Sequence, residues 1–275
     1  MDNLQVESKI GVEKYRVNLM KPIDISIPLK FNGEQPNFFD APFAEAMPVE
    51  GGGFIGDTTR GGSCNVWEYK LIAHCNGTHT ECIGHIINQS ISINDLINNL
   101  LVPATLITVK PQNANETGDH YIPEKEKVDY LITKKVLADA VKNCRTNFLS
   151  ALVIRTLPNQ ALKLSRNYSN KPACFFSIEA IEFINSLNMM HLLVDIPSVD
   201  RANDQGRMAI HHLYWGVQQG SSDIHENDIS PKTITEMIFI PDEIEDGEYL
   251  LNLQIPAFTA DAAPSRPILY RVIKM

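Results

Sequence analysis

The chain has 275 residues, 44% hydrophobic and 21% charged, ordinary values for a globular protein with a sizeable core. Its 24 Lys and Arg against 33 Asp and Glu give a net charge of −9, which argues against a nucleic-acid surface or an anionic membrane as partner. The start, Met1 to Glu7, lacks the apolar core of a secretion signal, and no run reaches the ~18–20 apolar residues that span a bilayer. The five cysteines, at 64, 75, 82, 144 and 174, are irregularly spaced and read as reduced thiols in the cytoplasm.

In chain order, residues 23–29 alternate apolar and polar as a half-buried strand does, with Pro28 marking an edge or an end. Residues 31–63 are rich in Pro, Gly, Asn and Phe without a period, and a loop of that length is usually functional, here as an entrance to a site. Residues 66–72 alternate again. The stretch 91–101 predicts a short helix, and 104–109 a buried strand. Residues 111–127 read as an exposed excursion, and 130–144 as a helix carrying Leu131, Val136, Leu137, Ala140 and Val141 at helical spacing. A second buried strand follows at 151–156, then a loop over 157–171. Ser177 predicts an N-cap, with Glu179 and Glu182 in the first turns, where the helix dipole favours negative charge. A third buried strand lies at 191–195. The polar stretch 199–230 contains a mildly helical segment, 208–215. Further strands are expected at 233–240, 248–256 and in the tail, 268–273. Strands and helices intermix without strict alternation, so the expected class is α/β with a mixed sheet and no linker that splits the chain.

The densest chemistry falls at residues 74–85, where His74, Cys75, His79, Glu81, Cys82 and His85 lie within twelve positions. All of these side chains can donate to a metal ion. In an extended segment His79, Glu81 and His85 share one face, whereas His74 and Cys75 point to opposite sides. Imidazole with carboxylate suits zinc, manganese or iron, so the segment reads as a metal site that activates water. The plainer reading is a polar turn whose histidines bond only to backbone. Glu236, an acid amid Ile and Met, is costly to bury unless paired or metal-bound. Asp195, Ser198 and Asp200 read as structural turn residues, and Arg155 as the partner of a buried acid.

These segments resemble, in order, a set of motifs. Gly77-Thr78-His79-x-Glu81-x-x-x-His85 resembles the His-x-x-x-His-x-Asp-x-x-x-His signature of the cyclase superfamily of metal-dependent hydrolases. That superfamily includes bacterial kynurenine formamidase (arylformamidase) and isatin hydrolase. Residues 23–29 resemble its opening strand, Arg155-Thr156 its Arg-Thr strand end, and 195–200 its Asp-x-Pro-Ser-x-Asp segment. Residues 210–213 resemble the segment that supplies a later histidine, 234–237 the one that supplies a later carboxylate, and 261–267 its closing Asp-x-x-Pro-x-Arg. The likeness covers residues 22–272. It departs where Cys75 stands for the first histidine, Glu81 for the aspartate and Ile83 for a proline.

The resemblance implies one cyclase-like domain over 1–275, a mixed sheet or barrel with flanking helices in a swivelling β/β/α arrangement. It implies one or two divalent ions, zinc first and manganese second, on Cys75, His79, Glu81, His85, His211 and Glu236, with His85 and Glu236 as catalytic groups. His74 is the alternative to Cys75. A thiolate there would tilt the site away from manganese. The implied substrate is a small aryl formamide such as N-formylkynurenine, cleaved to kynurenine and formate in tryptophan breakdown. The rivals are ring-opening of a lactam or lactone and an inactive small-molecule binder. A homodimer or homotetramer is also implied, with 31–63 at an interface.

Overall fold

The structure, a computed structural model, describes residues 4–169 and 172–275. One large mixed sheet runs through it. Its strands lie side by side in the order Gln5–Ile10, Glu13–Asn18, Ile268–Lys274, Gly247–Asn252, Val102–Val109, Ala151–Thr156, His191–Val194, Thr233–Glu236, His79–Cys82 and Ala262–Pro264. The central four, from 102–109 to 233–236, are parallel, while His79–Cys82 runs antiparallel to both of its neighbours. This is the α/β fold with a mixed sheet that the sequence predicts.

The central strands read as unbroken apolar runs because both of their faces are covered. Leu152, Ile154, Leu192 and Val194 pack on one side with Leu137, Ile181 and Ile210 of the helices Lys134–Val141, Ile178–Ser186 and Ala209–Trp215. Val153 and Leu193, on the other side, meet Ile25, Tyr249 and Leu269. The expected cap at Ser177 is present: its hydroxyl accepts the Ala180 amide at 3.1 Å. Among the described residues no helix is long and apolar enough to cross a membrane.

Several elements differ from expectation. The strand expected over 23–29 is only Ile23–Asp24. Beyond it the chain bonds to loops rather than to a ladder: Ile25 N–H donates to the Pro267 carbonyl, and Ile27 N–H to the Thr78 hydroxyl at 2.8 Å. The segment 31–63 carries short strands of its own, and Glu45–Pro48 pairs antiparallel with Trp67–Lys70 in an exposed ribbon. The helix expected over 130–144 opens with a strand, Tyr130–Ile132, and begins after the Thr133 cap. The excursion at 111–127 is exposed only in part, since Tyr121 is buried. The N-terminal hairpin and the strand Ala262–Pro264 were not legible in the pattern. Of the loop expected over 157–171, the last two residues lie outside the described residues; a 3-10 turn, Ala161–Ser165, occupies its middle.

Candidate metal centre

The site sits where Thr233–Glu236 meets His79–Cys82. Their register places Glu236 opposite His79, and the two-residue period of the strand puts Glu81 on the same face. Just past Glu236, Met237 adopts φ +52°, which turns the chain away; its carbonyl accepts the Thr78 hydroxyl proton.

His79 is fully buried, and its Nδ1 bonds to the Gly77 carbonyl at 3.0 Å. A carbonyl only accepts, so Nδ1 carries the proton and Nε2 presents a lone pair. Among the described residues that Nε2 has no hydrogen-bond partner, and it stands 3.5 Å from Glu236 Oε2. Buried polar atoms are nearly always satisfied. An orphaned imidazole lone pair facing carboxylates is therefore the feature to explain, and a divalent cation explains it. One donor atom each from His79, Glu81 and Glu236 lie within 4.8 Å of one another. The donor set, one imidazole and two carboxylates, suits zinc or manganese.

Glu81 is shared between groups. Its Oε1 lies 3.0 Å from His211 Nε2, and its Oε2 lies 2.9 Å from His74 Nδ1 and 4.0 Å from His85 Nε2. Burial disfavours its charge, but His85, His211 and His74 outweigh that and hold its carboxyl well below the ordinary range. A second group of donors within 4.8 Å is thus His74, Glu81 and His85. Burial likewise opposes a charge on His211, and Glu81 with Asp200 overcomes it, raising the imidazole well above its ordinary value.

The predicted residues therefore divide. His79, Glu81 and Glu236 form the buried inner group, with His211 Nε2 also 4.0 Å from Glu236 Oε1. His85 lies at the partly exposed rim, its side chain 27% exposed. Cys75 lines the same cavity, yet among the described residues it belongs to neither donor group, whereas His74 does. Burial, with the nearby charge of Glu236, pushes the Cys75 thiol up.

Two carboxylates act here that the sequence reading did not place in the site. Asp200 reads as a turn residue, but its Oδ2 accepts from His211 Nδ1 at 2.6 Å, and its oxygens also take the Ile210 and His211 amides and the Tyr121 hydroxyl. Its burial raises its pKa, and those donors outweigh it and bring the carboxyl below its ordinary range. Asp261, in the closing motif, reaches both His74 Nε2 at 3.0 Å and His85 Nδ1 at 3.3 Å through Oδ2. In both cases the signal was an acid inside a motif segment. Asp195 takes part in a buried ion pair with Lys163 at 2.7 Å. Arg155 meets two backbone carbonyls and Asp246, an acid that is largely exposed rather than buried.

The cavity beside these groups measures about 230 Å³ and is walled by Phe38, Phe39, Pro197 and Met208. The Phe38 and Phe39 rings lie 4.0 Å apart.

The Cyclase family profile matches residues 23–201, more than half of the chain. No curated protein matches the sequence. Among solved structures, a predicted metal-dependent hydrolase from Bacillus stearothermophilus is 15% identical with a TM-score of 0.58, covering 91% of this chain and 98% of its own. An isatin hydrolase bound to the product analogue thioisatinate is 14% identical, TM-score 0.61, covering 93% of each chain. Isatin hydrolase A from Labrenzia aggregata, bound to benzyl benzoate, is 13% identical, TM-score 0.59, covering 91% of this chain and 93% of its own. At these identities the likeness is one of fold.

Proposed function

The chain belongs to the Cyclase family, and from that premise we propose that it is a metal-dependent hydrolase cleaving the amide bond of a small aryl formamide. N-formylkynurenine, split into kynurenine and formate in tryptophan breakdown, is the proposed substrate. The observation that carries the reading is the buried His79 Nε2, without a hydrogen-bond partner among the described residues and facing Glu81 and Glu236. Those three side chains would hold the ion, with His211 beside them.

A bound divalent ion, zinc first and manganese second, supplies a Lewis acid for the amide carbonyl and lowers the pKa of water toward ~7. The protein's groups do the rest. The Val199 amide donates to Glu236 Oε1 at 2.8 Å and fixes that carboxylate. His85, held at Nδ1 by Asp261, has its Nε2 toward Glu81 and is placed to put a proton on the leaving aryl amine. Water adds across the C–N bond, so formate leaves with the oxygen and the amine takes the proton. A cavity of about 230 Å³, below the ~300–1,000 Å³ of drug-sized pockets, leaves room for the formylated ring of such a substrate.

Ring-opening of a cyclic amide is the second reading, since isatin hydrolases share the fold and a flat lactam fits the same aromatic wall. The described cysteines are all free, which supports a reducing compartment such as the cytoplasm. Exposed Phe43, Met47 and Tyr69 on and near the 45–70 ribbon support a homodimer or homotetramer built through that segment.

The experiment is elemental analysis of the purified protein, then turnover of N-formylkynurenine and of isatin by wild type, His79→Ala and Glu236→Ala. Metal and formamide turnover, both lost in the variants, are expected. Full activity in either variant would sink the assignment. Turnover of isatin alone would move the reading to the lactam. Metal without turnover of either would leave a small-molecule binder.

A further inference from the structure

We propose that His74, rather than Cys75, supplies the donor that the family pattern places at position 75, and that Asp261 is the carboxylate that orients it. The inference rests on the metal-binding reading above and assigns residues within it.

An extended backbone would send the side chains of residues 74 and 75 to opposite sides. The chain does not stay extended there. Residues Ala73–Asn76 wind into a single helical turn, with the Cys75 and Asn76 amides donating to the Ile72 carbonyl at 3.0 and 3.1 Å. Asn76 locks that turn from both ends of its amide: Oδ1 accepts the Ile72 N–H at 2.7 Å, and Nδ2 donates to the Pro42 carbonyl at 3.0 Å. The winding carries the His74 ring over the donor face. It stands edge-on to His79 at 5.2 Å and stacks on His85 at 4.1 Å and 25°.

The two ring nitrogens of His74 then face different groups. Nε2 lies 3.0 Å from Asp261 Oδ2, and Nδ1 lies 2.9 Å from Glu81 Oε2. With Asp261 accepting the Nε2 proton, Nδ1 is the nitrogen turned toward the donor group of His74, Glu81 and His85. A carboxylate behind a histidine that offers its other nitrogen is how metal-bound imidazoles are usually held. Asp261 also reaches His85, through Nδ1 at 3.3 Å, so one carboxylate oxygen contacts two stacked rings, the second being the proton donor named above. The donor then comes from the residue before position 75, brought to the donor face by the helical turn. The resulting donor set is nitrogen and oxygen only, and without a soft thiolate the bias against manganese disappears.

The test is cobalt substitution of wild type, Cys75→Ser, His74→Ala, His74→Gln and Asp261→Ala, with cobalt affinity measured by chelator competition and folding checked by thermal unfolding. Wild type and Cys75→Ser are expected to give the same visible spectrum, with no thiolate-to-cobalt charge-transfer band and affinities within about twofold. The Asp261 variant should bind about 10–100-fold more weakly and the His74 variants at least as much more weakly, all still unfolding cooperatively. Asp261→Glu should recover part of that loss, which a merely structural role for Asp261 would not show. A thiolate band in wild type that Cys75→Ser abolishes would overturn the assignment and leave the hydrolase reading standing. So would full affinity in both His74 variants. No cobalt or zinc on wild type would refute the metal reading itself, and this assignment with it.

Discussion

Replacing Asp200 with alanine tests whether one carboxylate supports both the fold and the metal centre. Its side chain is 3% exposed and accepts four donors: Tyr121 Oη at 2.6 Å and the Ile210 amide at 2.9 Å on Oδ1, the His211 amide at 3.1 Å and His211 Nδ1 at 2.6 Å on Oδ2. Hydrogen bonds to a charged group contribute ~1.5–3 kcal/mol each, so the gross loss is ~6–12 kcal/mol. Removing a buried charge recovers several kcal/mol of desolvation, which leaves a net cost near ~3–5 kcal/mol, the range for breaking a buried charged pair. At ~2–4 °C per kcal/mol, the metal-free protein should melt roughly 6–20 °C lower. The alanine also frees the His211 ring to rotate, and loss of such a support typically weakens metal binding ~10–100-fold. The assays are urea unfolding of the metal-free protein and zinc titration by calorimetry. A stability change below about 1 kcal/mol together with unchanged zinc affinity would refute the view that Asp200 both caps the Ala209–Trp215 helix and orients His211.

Burial alone holds His191 down at about 4, where it shares a hydrogen bond of 2.8 Å with Thr233 Oγ1. The unfolded chain protonates it near ~6.5, so between those values the unfolded state binds more protons and stability falls as the pH drops from about 6.5 toward 4. The depression corresponds to about 3 kcal/mol at most, and His191→Gln should remove that part of the acid sensitivity; parallel urea midpoints for the two proteins from pH 7 to 4.5 would contradict it. Lys163→Met strips the buried Asp195 of its ammonium at 2.7 Å and should cost ~3–5 kcal/mol in urea unfolding, with a loss below about 1 kcal/mol counting against the pair. At Gly84 an added Cβ would stand 2.6 Å from the Ile91 carbonyl oxygen, so Gly84→Ala must shift backbone beside His85. It should lower stability by ~1–3 kcal/mol and cut turnover more than metal content; wild-type turnover with an unchanged melting temperature would show that the loop absorbs the methyl.

What the sequence made legible is what depends on neighbours along the chain. The strand at 151–156 matches its expected bounds because a β-branched, apolar run covered on both faces has no other stable home. The Ser177 cap is local to within three residues, and so is its signal. The meeting of His79, Glu81 and Glu236 was also readable, since His79 and Glu81 obey the strand period and Glu236 is an acid amid apolar neighbours. The misplacements share a cause in distant partners. The segment after Asp24 leaves the ladder because Thr78 and Pro267 claim its amides. Tyr121 lies buried in a polar stretch because its hydroxyl serves Asp200, 79 residues away. The turn at 73–76 is fixed by Asn76 reaching Pro42, 34 residues back in a segment without a period.

That last contact bears on the chemistry as well as the fold. Matching this chain to a motif position by position puts a sulfur where the family has an imidazole, and predicts a softer metal. Following the side chains in space brings an imidazole to the donor face instead, because one helical turn breaks the alternation on which the positional match depends. Metal preference follows the donors that converge in space, so on the proposal above Asn76 takes part in choosing the ion: a chain unable to hold the 73–76 turn would lose the His74 ring from the donor face. The departure at Cys75 is therefore compatible with an intact centre rather than a sign of a lost one.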